Sequence, residues 1–254
     1  MTEYPVVNAL SGGTKTVIVV PCFNEADRWQ RDYWNRISSA GVTLLFVDDG
    51  STDATWNSIS TAMNDLGALG LQLPKNVGKA EAVRKGLQLA LAQNAEVVGY
   101  LDADAAFPAG VVARITKLST QLFTEGSWDS VWAARILLGG RDVVRKSSRH
   151  YFGRLVATLI APSHGHAVYD TQTGFKLFGN SASLEACLAE PFTTRWFVDV
   201  ELLMRWRAVT GQLMRVWEEP VEGWRDIGGS KVNRGQYVQL AREILAVKRY
   251  RPKG

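Results

Sequence analysis

The feature that most restricts the fold of this chain is the alternation of two patterns. A short, nearly all-apolar run stops abruptly and a helical pattern follows. Thr16–Val20, Val42–Val47, Val97–Leu101 and Ser130–Ala134 are such runs. Apolar on consecutive positions, each reads as a strand covered on both faces. Between them lie amphipathic stretches. Glu25–Ala40 carries Trp29, Tyr33, Trp34 and Ile37, and Gly41 closes it. Asp53 can cap the next, whose stripe is Trp56, Ile59, Met63 and Leu66. Lys79–Gln93 turns Val83, Leu87, Ala90 and Leu91 inward, and Gly110–Leu122 completes the series. Leu71–Leu73 reads as one more short strand. Alternation in this order predicts an α/β fold with a mainly parallel sheet and right-handed crossovers.

The second half is less regular. Lys146–Ile160, Ser181–Ala189 and Val198–Thr210 read as helices, and Phe175–Phe178 and Leu213–Trp217 as strands. Gln236–Tyr250 reads as a terminal helix with Leu240, Ile244 and Val247 on one side. Without repeats or a linker, the simplest division is one domain over 1–232 and a basic amphipathic helix over 233–254.

Several classes drop out on composition. Cys22 and Cys187 are too few for a disulfide framework and read as reduced thiols in a cytoplasmic protein. No apolar run approaches the ~18 residues of a membrane span. Met1–Ser11 lacks the basic and apolar regions of a signal peptide. The expected location is therefore the cytoplasm, with any membrane contact peripheral and on its cytoplasmic face. The net charge of +4 is unevenly spread. From Arg225 to Gly254 there are eight Lys/Arg against two Asp/Glu, and Arg135–Arg154 holds a second basic cluster. Such asymmetry points to an anionic partner: nucleic acid, a membrane surface or a phosphorylated substrate. Acidic strand ends and few stacking aromatics in the tail argue against nucleic acid. Beside its basic residues, the apolar stripe of the terminal helix suits either an anionic membrane surface or packing on protein.

The strongest chemical signal is at the strand ends. Ligands of open α/β sheets gather at the carboxyl ends of the strands. Asp48 and Asp49 follow the second strand here, and Asp102-Ala103-Asp104 follows the fourth. Alternation sends the two carboxylates of Asp-X-Asp to one side. They repel unless a cation sits between them or one takes a proton. A hard divalent ion, Mg2+ or Mn2+, together with a diphosphate resolves this. No Cys/His set suits zinc. Neither a P-loop nor G-x-G-x-x-G is present. Asn76-Val77-Gly78-Lys79 opens a helix, where amides and a lysine could meet an anion, although an ordinary helix start reads the same way.

VIVVPCFNEADR, FVDDGSTD, LPKNVGKAEAVRKGL, YLDADAAFP, DTQTGFKLF, RWFVDVELL and WRDIGGSK occur in this order between Val17 and Val232. In these motifs the chain resembles family 2 glycosyltransferases with the GT-A fold. Within them it resembles the polyprenyl-phosphate (dolichyl-phosphate) hexosyltransferases, the β-glucosyl branch most. The resemblance implies an inverting transfer of a hexose, glucose from UDP-glucose first, to a polyprenyl phosphate. GDP-mannose as donor, a sugar hydroxyl as acceptor, or a donor-binding protein without catalysis are the alternatives. Pro21, Phe23 and Glu25 would line the nucleotide pocket. Asp48 and Asp49 would meet base or ribose. Lys79 would lie near base or phosphates. Asp102, Ala103 and Asp104 would match the DXD motif, with Asp104 the direct metal ligand before Asp102. Arg135, Arg145 and Arg149 would receive the acceptor phosphate. Arg225 and Lys231 would come from a segment closing over the diphosphate. Thr173 stands where the family has Cys, and Ala105 where it has Gly. A phosphate acceptor is itself a good nucleophile and needs cations, not a strong base. A hydroxyl acceptor needs a base, for which Asp170 and Asp199 are the candidates.

Overall fold

A computed structural model describes residues 6–7, 16–136, 143–144, 165, 168–225, 227 and 243. Its centre is an eight-stranded sheet. In chain order the strands are β1 (Val6–Val7), β2 (Thr16–Cys22), β3 (Thr43–Asp48), β4 (Leu69–Gln72), β5 (Val97–Leu101), β6 (Ser130–Ala134), β8 (Phe175–Gly179) and β9 (Val216–Pro220). Across the sheet they run β1-β4-β3-β2-β5-β8-β6-β9. β7 (Val143–Val144) and β10 (Trp224–Arg225) pair separately, in parallel. β4, β3, β2 and β5 are mutually parallel, and β6 is parallel to β9. β8 is inserted antiparallel between β5 and β6, and β1 is antiparallel to β4.

Helices cover both faces, as the doubly apolar strands require. Ile18, Val20, Leu44 and Phe46 face a layer with α1 (Arg31–Ser38), α2 (Thr55–Leu66) and α4 (Ala109–Thr124). Val17, Val19, Leu45 and Val47 face α3 (Lys79–Ala92), α5 (Ala182–Leu188) and α6 (Val198–Thr210). Consecutive residues of one strand thus feed two cores.

Four expectations shift. The helix expected over Glu25–Ala40 is a 3-10 turn at Ala26–Arg28 and then α1. Trp29 between them is extended and stacks against Trp34 and Phe46. Pro21 does not end β2 but pairs opposite Val47. On the β5 side pairing stops at Val19, so the absent N–H of Pro21 falls past a strand end. The last strand is Val216–Pro220 rather than Leu213–Trp217, because Leu213 is exposed in the preceding turn while Val216–Pro220 pairs with β6. Ala54, not Asp53, is the N-cap of α2, although Asp53 accepts the Thr55 amide at 3.0 Å. The helix expected over 146–160 lies outside the described residues. So does that over 236–250, apart from Glu243. Among the described residues no helix is long and apolar enough to cross a membrane.

Candidate active site

The carboxyl ends of β2, β3, β5, β6 and β9 meet the amino end of β8 along one edge of the sheet. Most of the residues picked out from the sequence lie there.

The Asp48–Thr55 turn and the Phe23–Glu25 turn are sewn together. Asn24 accepts the Thr52 amide at 2.9 Å and donates its own amide to Ser51 Oγ at 3.0 Å. Asp53 accepts the Ala26 amide at 3.2 Å. Pro21 and Glu25 are partly buried and Phe23 is exposed on this rim. One Glu25 oxygen meets Arg28 at 2.5 Å.

Asp48 and Asp49 are buried, and protein donors meet their carboxylates. Asp48 accepts the Ser51 amide at 2.9 Å and the Gln72 side chain at 3.3 Å. Asp49 accepts the amides of Val77 (2.7 Å) and Gly78 (2.9 Å) and the Asn76 side chain (3.0 Å). Burial pushes the Asp49 pKa up, with those amides and Arg195 pulling against it. Its evident work is to hold the 76–78 turn in place. Gly50 is required for this approach: it has φ +66°, and a Cβ on it would lie 2.4 Å from the Lys75 carbonyl carbon. The Ala80 amide is bonded to the Arg195 carbonyl at 3.0 Å. The amides of Val77, Gly78 and Ala80 are therefore committed to protein, and Lys79 is the positive side chain at the start of α3.

Lys79 Nζ lies 2.5 Å from Asp102 Oδ1 and 5.5 Å from the centre of the Tyr100 ring. Burial works against its charge, but Asp102, with Asp199 and Asp104 behind it, more than offsets this and raises the ammonium pKa. Gly174 confines Asp102 from the other side. The Asp102 amide donates to the Gly174 carbonyl at 2.8 Å, and a Cβ at 174 would lie 2.3 Å from Asp102 Oδ2. Asp104 accepts the Ala106 amide at 3.1 Å across a left-handed Ala105, φ 56°. Ala105 thus adopts the backbone that Gly takes most readily. Burial, then the charge of Asp102, pushes the Asp104 pKa up. Among the described residues no ammonium or guanidinium reaches salt-bridge distance of Asp104. Nor do three His, Cys, Asp or Glu side chains come together to hold a metal there. A divalent ion would thus depend on Asp104, Asp102 and oxygens of a ligand. The residues fit that role: an under-compensated, partly buried carboxylate pair is a hard-cation donor set. The Arg225 amide donates to the Ala106 carbonyl at 3.2 Å, which brings β10 alongside.

On the β6 side, Arg135 grips Asp170. Nε meets Oδ2 at 2.7 Å, Nη2 meets Oδ1 at 2.8 Å, and the Arg135 amide adds a bond of 3.0 Å. Nη2 also reaches the Gln172 carbonyl, and the guanidinium lies over Trp224 at 5.1 Å. Burial alone would raise the Asp170 pKa, but Arg135 outweighs it and holds the carboxyl below the usual range. Glu218 on β9 accepts the amides of Tyr169 and Asp170, both at 2.8 Å.

Asp199 belongs to a buried cluster that the sequence did not single out. Tyr100, Lys176 and Trp132 are direct cross-strand neighbours on β5, β8 and β6. Lys176 is fully buried. Its ammonium donates to the Tyr100 hydroxyl (3.0 Å) and the carbonyls of Thr171 (3.0 Å) and Thr173 (2.7 Å), forms an ion pair with Asp199 Oδ1 at 2.8 Å, and lies 4.5 Å from the Trp132 ring centre. Tyr100 in turn donates to Asp199. Burial holds the Lys176 pKa below its ordinary value. A lysine within an otherwise apolar strand, FKLF, was the available signal. Arg145, Arg149 and Lys231 lie outside the described residues.

Comparisons with known proteins bear on family and fold. Over most of its length the chain is similar to dolichyl-phosphate beta-glucosyltransferases. It is 29% identical to one from Trichomonas vaginalis over 92% of this chain and 71% of that protein. It is 24% identical to one from Saccharomyces cerevisiae over 91% and 73%. Among solved structures, a mycobacterial protein superposes with a TM-score of 0.63 at 22% identity, covering 92% of this chain and 74% of that one. A mannosyltransferase from Pyrobaculum calidifontis, solved with GDP-Man and Mn2+, gives 0.58 at 16%, covering 97% and 66%. At these identities the superpositions establish the fold, GT-A. The family model for glycosyl transferase family 2 matches residues 17–169, more than half of the sequence and every strand from β2 to β7, and the chain belongs to that family.

Proposed function

We propose that the protein transfers a hexose, glucose from UDP-glucose, to a polyprenyl or dolichyl phosphate, with inversion and with Mg2+ or Mn2+. The observation that carries the acceptor class is the condition of its two candidate bases. Asp170 is locked to Arg135 and Asp199 to Lys176 and Tyr100. A carboxylate already neutralised by a buried cation is a poor proton acceptor. An acceptor that brings its own charge needs no such base, because a phosphate monoester is mostly dianionic near neutral pH. Relatives named as dolichyl-phosphate beta-glucosyltransferases support the same reading.

In this mechanism Asp104 and Asp102 hold the divalent ion, which when bound offsets the charge that grows on the leaving diphosphate. Lys79 and Arg225, with Lys231, add positive charge to the same group. Pro21, Phe23 and Glu25 form the nucleotide rim over the turns braced by Asp48 and Asp49. Arg135, its Nε and Nη2 engaged by Asp170 and the Gln172 carbonyl, adds positive charge on the acceptor side, and the guanidinium forks of Arg145 and Arg149 would match the phosphate oxygens. Residues 1–232 form the catalytic unit. The basic segment 233–254 serves an anionic membrane surface, as a lipid acceptor would favour, and its Glu243 accepts the Arg195 and Trp196 amides.

The test is a product assay by mass. The full chain is incubated with UDP-glucose or GDP-mannose, Mn2+ or Mg2+, and a short polyprenyl phosphate or a sugar. A glucosyl phospholipid is expected from UDP-glucose, and Asp104→Ala should abolish it while the circular dichroism spectrum is retained. Transfer to the sugar hydroxyl alone would overturn the acceptor, and preference for GDP-mannose would overturn the donor.

A further inference from the structure

Resting on the metal-dependent reading above, we infer that Lys79 is a resident counter-ion that changes partner: its ammonium neutralises Asp102 while the site is empty and passes to the donor diphosphate when metal and donor bind. Three features of the geometry carry this.

Lys79 stands where a cation is needed. Asp102 and Asp104 put two carboxylates on one side of the strand end, and the ammonium lies 2.5 Å from Asp102 Oδ1. Of the two, Asp104 is the one no cation of the described residues meets. The lysine therefore does for Asp102 part of what a divalent ion would do for the pair.

Asp102 has the shorter reach of the two, and Gly174 limits it on one side. Its amide is fixed to the Gly174 carbonyl, and its Oδ2 side is closed by the Gly174 backbone. Lys79 can move. It is the first residue of α3, its side chain is 26% exposed, and its four-carbon stem gives the ammonium a wide arc.

The diphosphate needs it. The amides of Val77, Gly78 and Ala80 are bonded to Asp49 and to the Arg195 carbonyl, so the positive side chain this helix end offers is Lys79. The charges then balance. Two carboxylates and the doubly charged diphosphate are matched by the divalent ion, Lys79 and Arg225.

The experiment measures binding, not turnover. Mn2+ alone is titrated into wild type, Lys79→Met and Asp104→Asn and followed by electron paramagnetic resonance. UDP and uridine are then titrated calorimetrically with Mn2+ present. Lys79→Met should bind Mn2+ alone at least ~5-fold more tightly, because a competing positive charge has gone. The same variant should bind UDP with Mn2+ at least ~10-fold more weakly, a loss of the size expected for one charge-assisted contact, with uridine binding unchanged. Mn2+ affinity that stays the same or falls in Lys79→Met overturns the inference, since Lys79 would then only prop Asp102. A loss of uridine binding equal to that of UDP also overturns it, because Lys79 would then read the base. If wild type binds Mn2+ and Asp104→Asn does not, the metal reading stands whatever Lys79 does. If no form binds Mn2+, with or without UDP, both fall together.

Discussion

Gly174 decides how closely β8 can pass the DXD segment. A methyl group there would sit 2.3 Å from Asp102 Oδ2 and 2.5 Å from its Cγ, so the carboxylate or the loop must give way. Gly174→Ala should therefore cost about 1–3 kcal/mol of stability through overpacking. It should also reduce transfer at least ~10-fold, because a small displacement of a positioned group is expensive in rate. Gly110→Ala is the matched control. Its Cβ would meet nothing within 4 Å, and it lies in the first turn of α4. It should be neutral or stabilising by up to about 1 kcal/mol. Chemical denaturation and a rate assay on both variants check the contrast, and equal behaviour would show that Asp102 is not tightly placed. None of this is visible in the motif DTQTGF. A glycine there could serve any turn, and only the antiparallel insertion of β8 beside β5 gives it this neighbour.

At the level of elements, the proposed acceptor side is a clamp between the end of β6 and the loop leading into β8. Arg135 and Asp170 are only 11% and 8% exposed, so their pairing is poorly screened and breaking it leaves a buried charge. Asp170→Asn should cost about 3 kcal/mol at neutral pH. The loss should depend on pH in a definite sense. The Asp170 pKa is lowered in the folded protein, so its stabilisation is complete above the unfolded carboxylate value of 3.8 and is lost as pH falls through the lower folded value. The gap between wild type and Asp170→Asn should stay constant from pH 7 down to about pH 5 and close below pH 4. Urea unfolding at several pH values measures it, and a gap that closes above pH 5 would contradict the pairing. Arg135 and Asp170 were both recognisable as candidates in the sequence, one as a phosphate ligand and one as a base. Their mutual engagement was not, because 35 residues separate them and only the order β5-β8-β6 brings them together. The parallel half of the sheet was legible for the opposite reason: β2, β3 and β5 each carry their own doubly apolar pattern, and a helical pattern follows each along the sequence.

Across the whole molecule, the Lys176 cluster joins the two halves of the site. Its ammonium touches β5 through Tyr100, α6 through Asp199 and the 170–174 loop through two carbonyls. That loop carries Asp170 at one end and Gly174 at the other, the first holding Arg135 and the second confining Asp102. Tyr100 is flanked by two ammonium groups, Lys176 at 5.4 Å and Lys79 at 5.5 Å from its ring centre. The proposed donor and acceptor sides thus share one buried charge among their supports. Replacing it alone leaves Asp199 buried without its cation, so Lys176→Met should cost about 3–5 kcal/mol. If the ion pair is the reason, Lys176→Met/Asp199→Asn should be more stable than the single variant, by at least about 1 kcal/mol in a double-mutant cycle from urea unfolding. Stability and function should then separate. The double variant regains stability but not transfer, because a methionine cannot hold the carbonyls of residues 171 and 173. Recovery of both would mean that the cluster serves the fold alone, and recovery of neither would mean that the loop, not the ion pair, is what Lys176 supports.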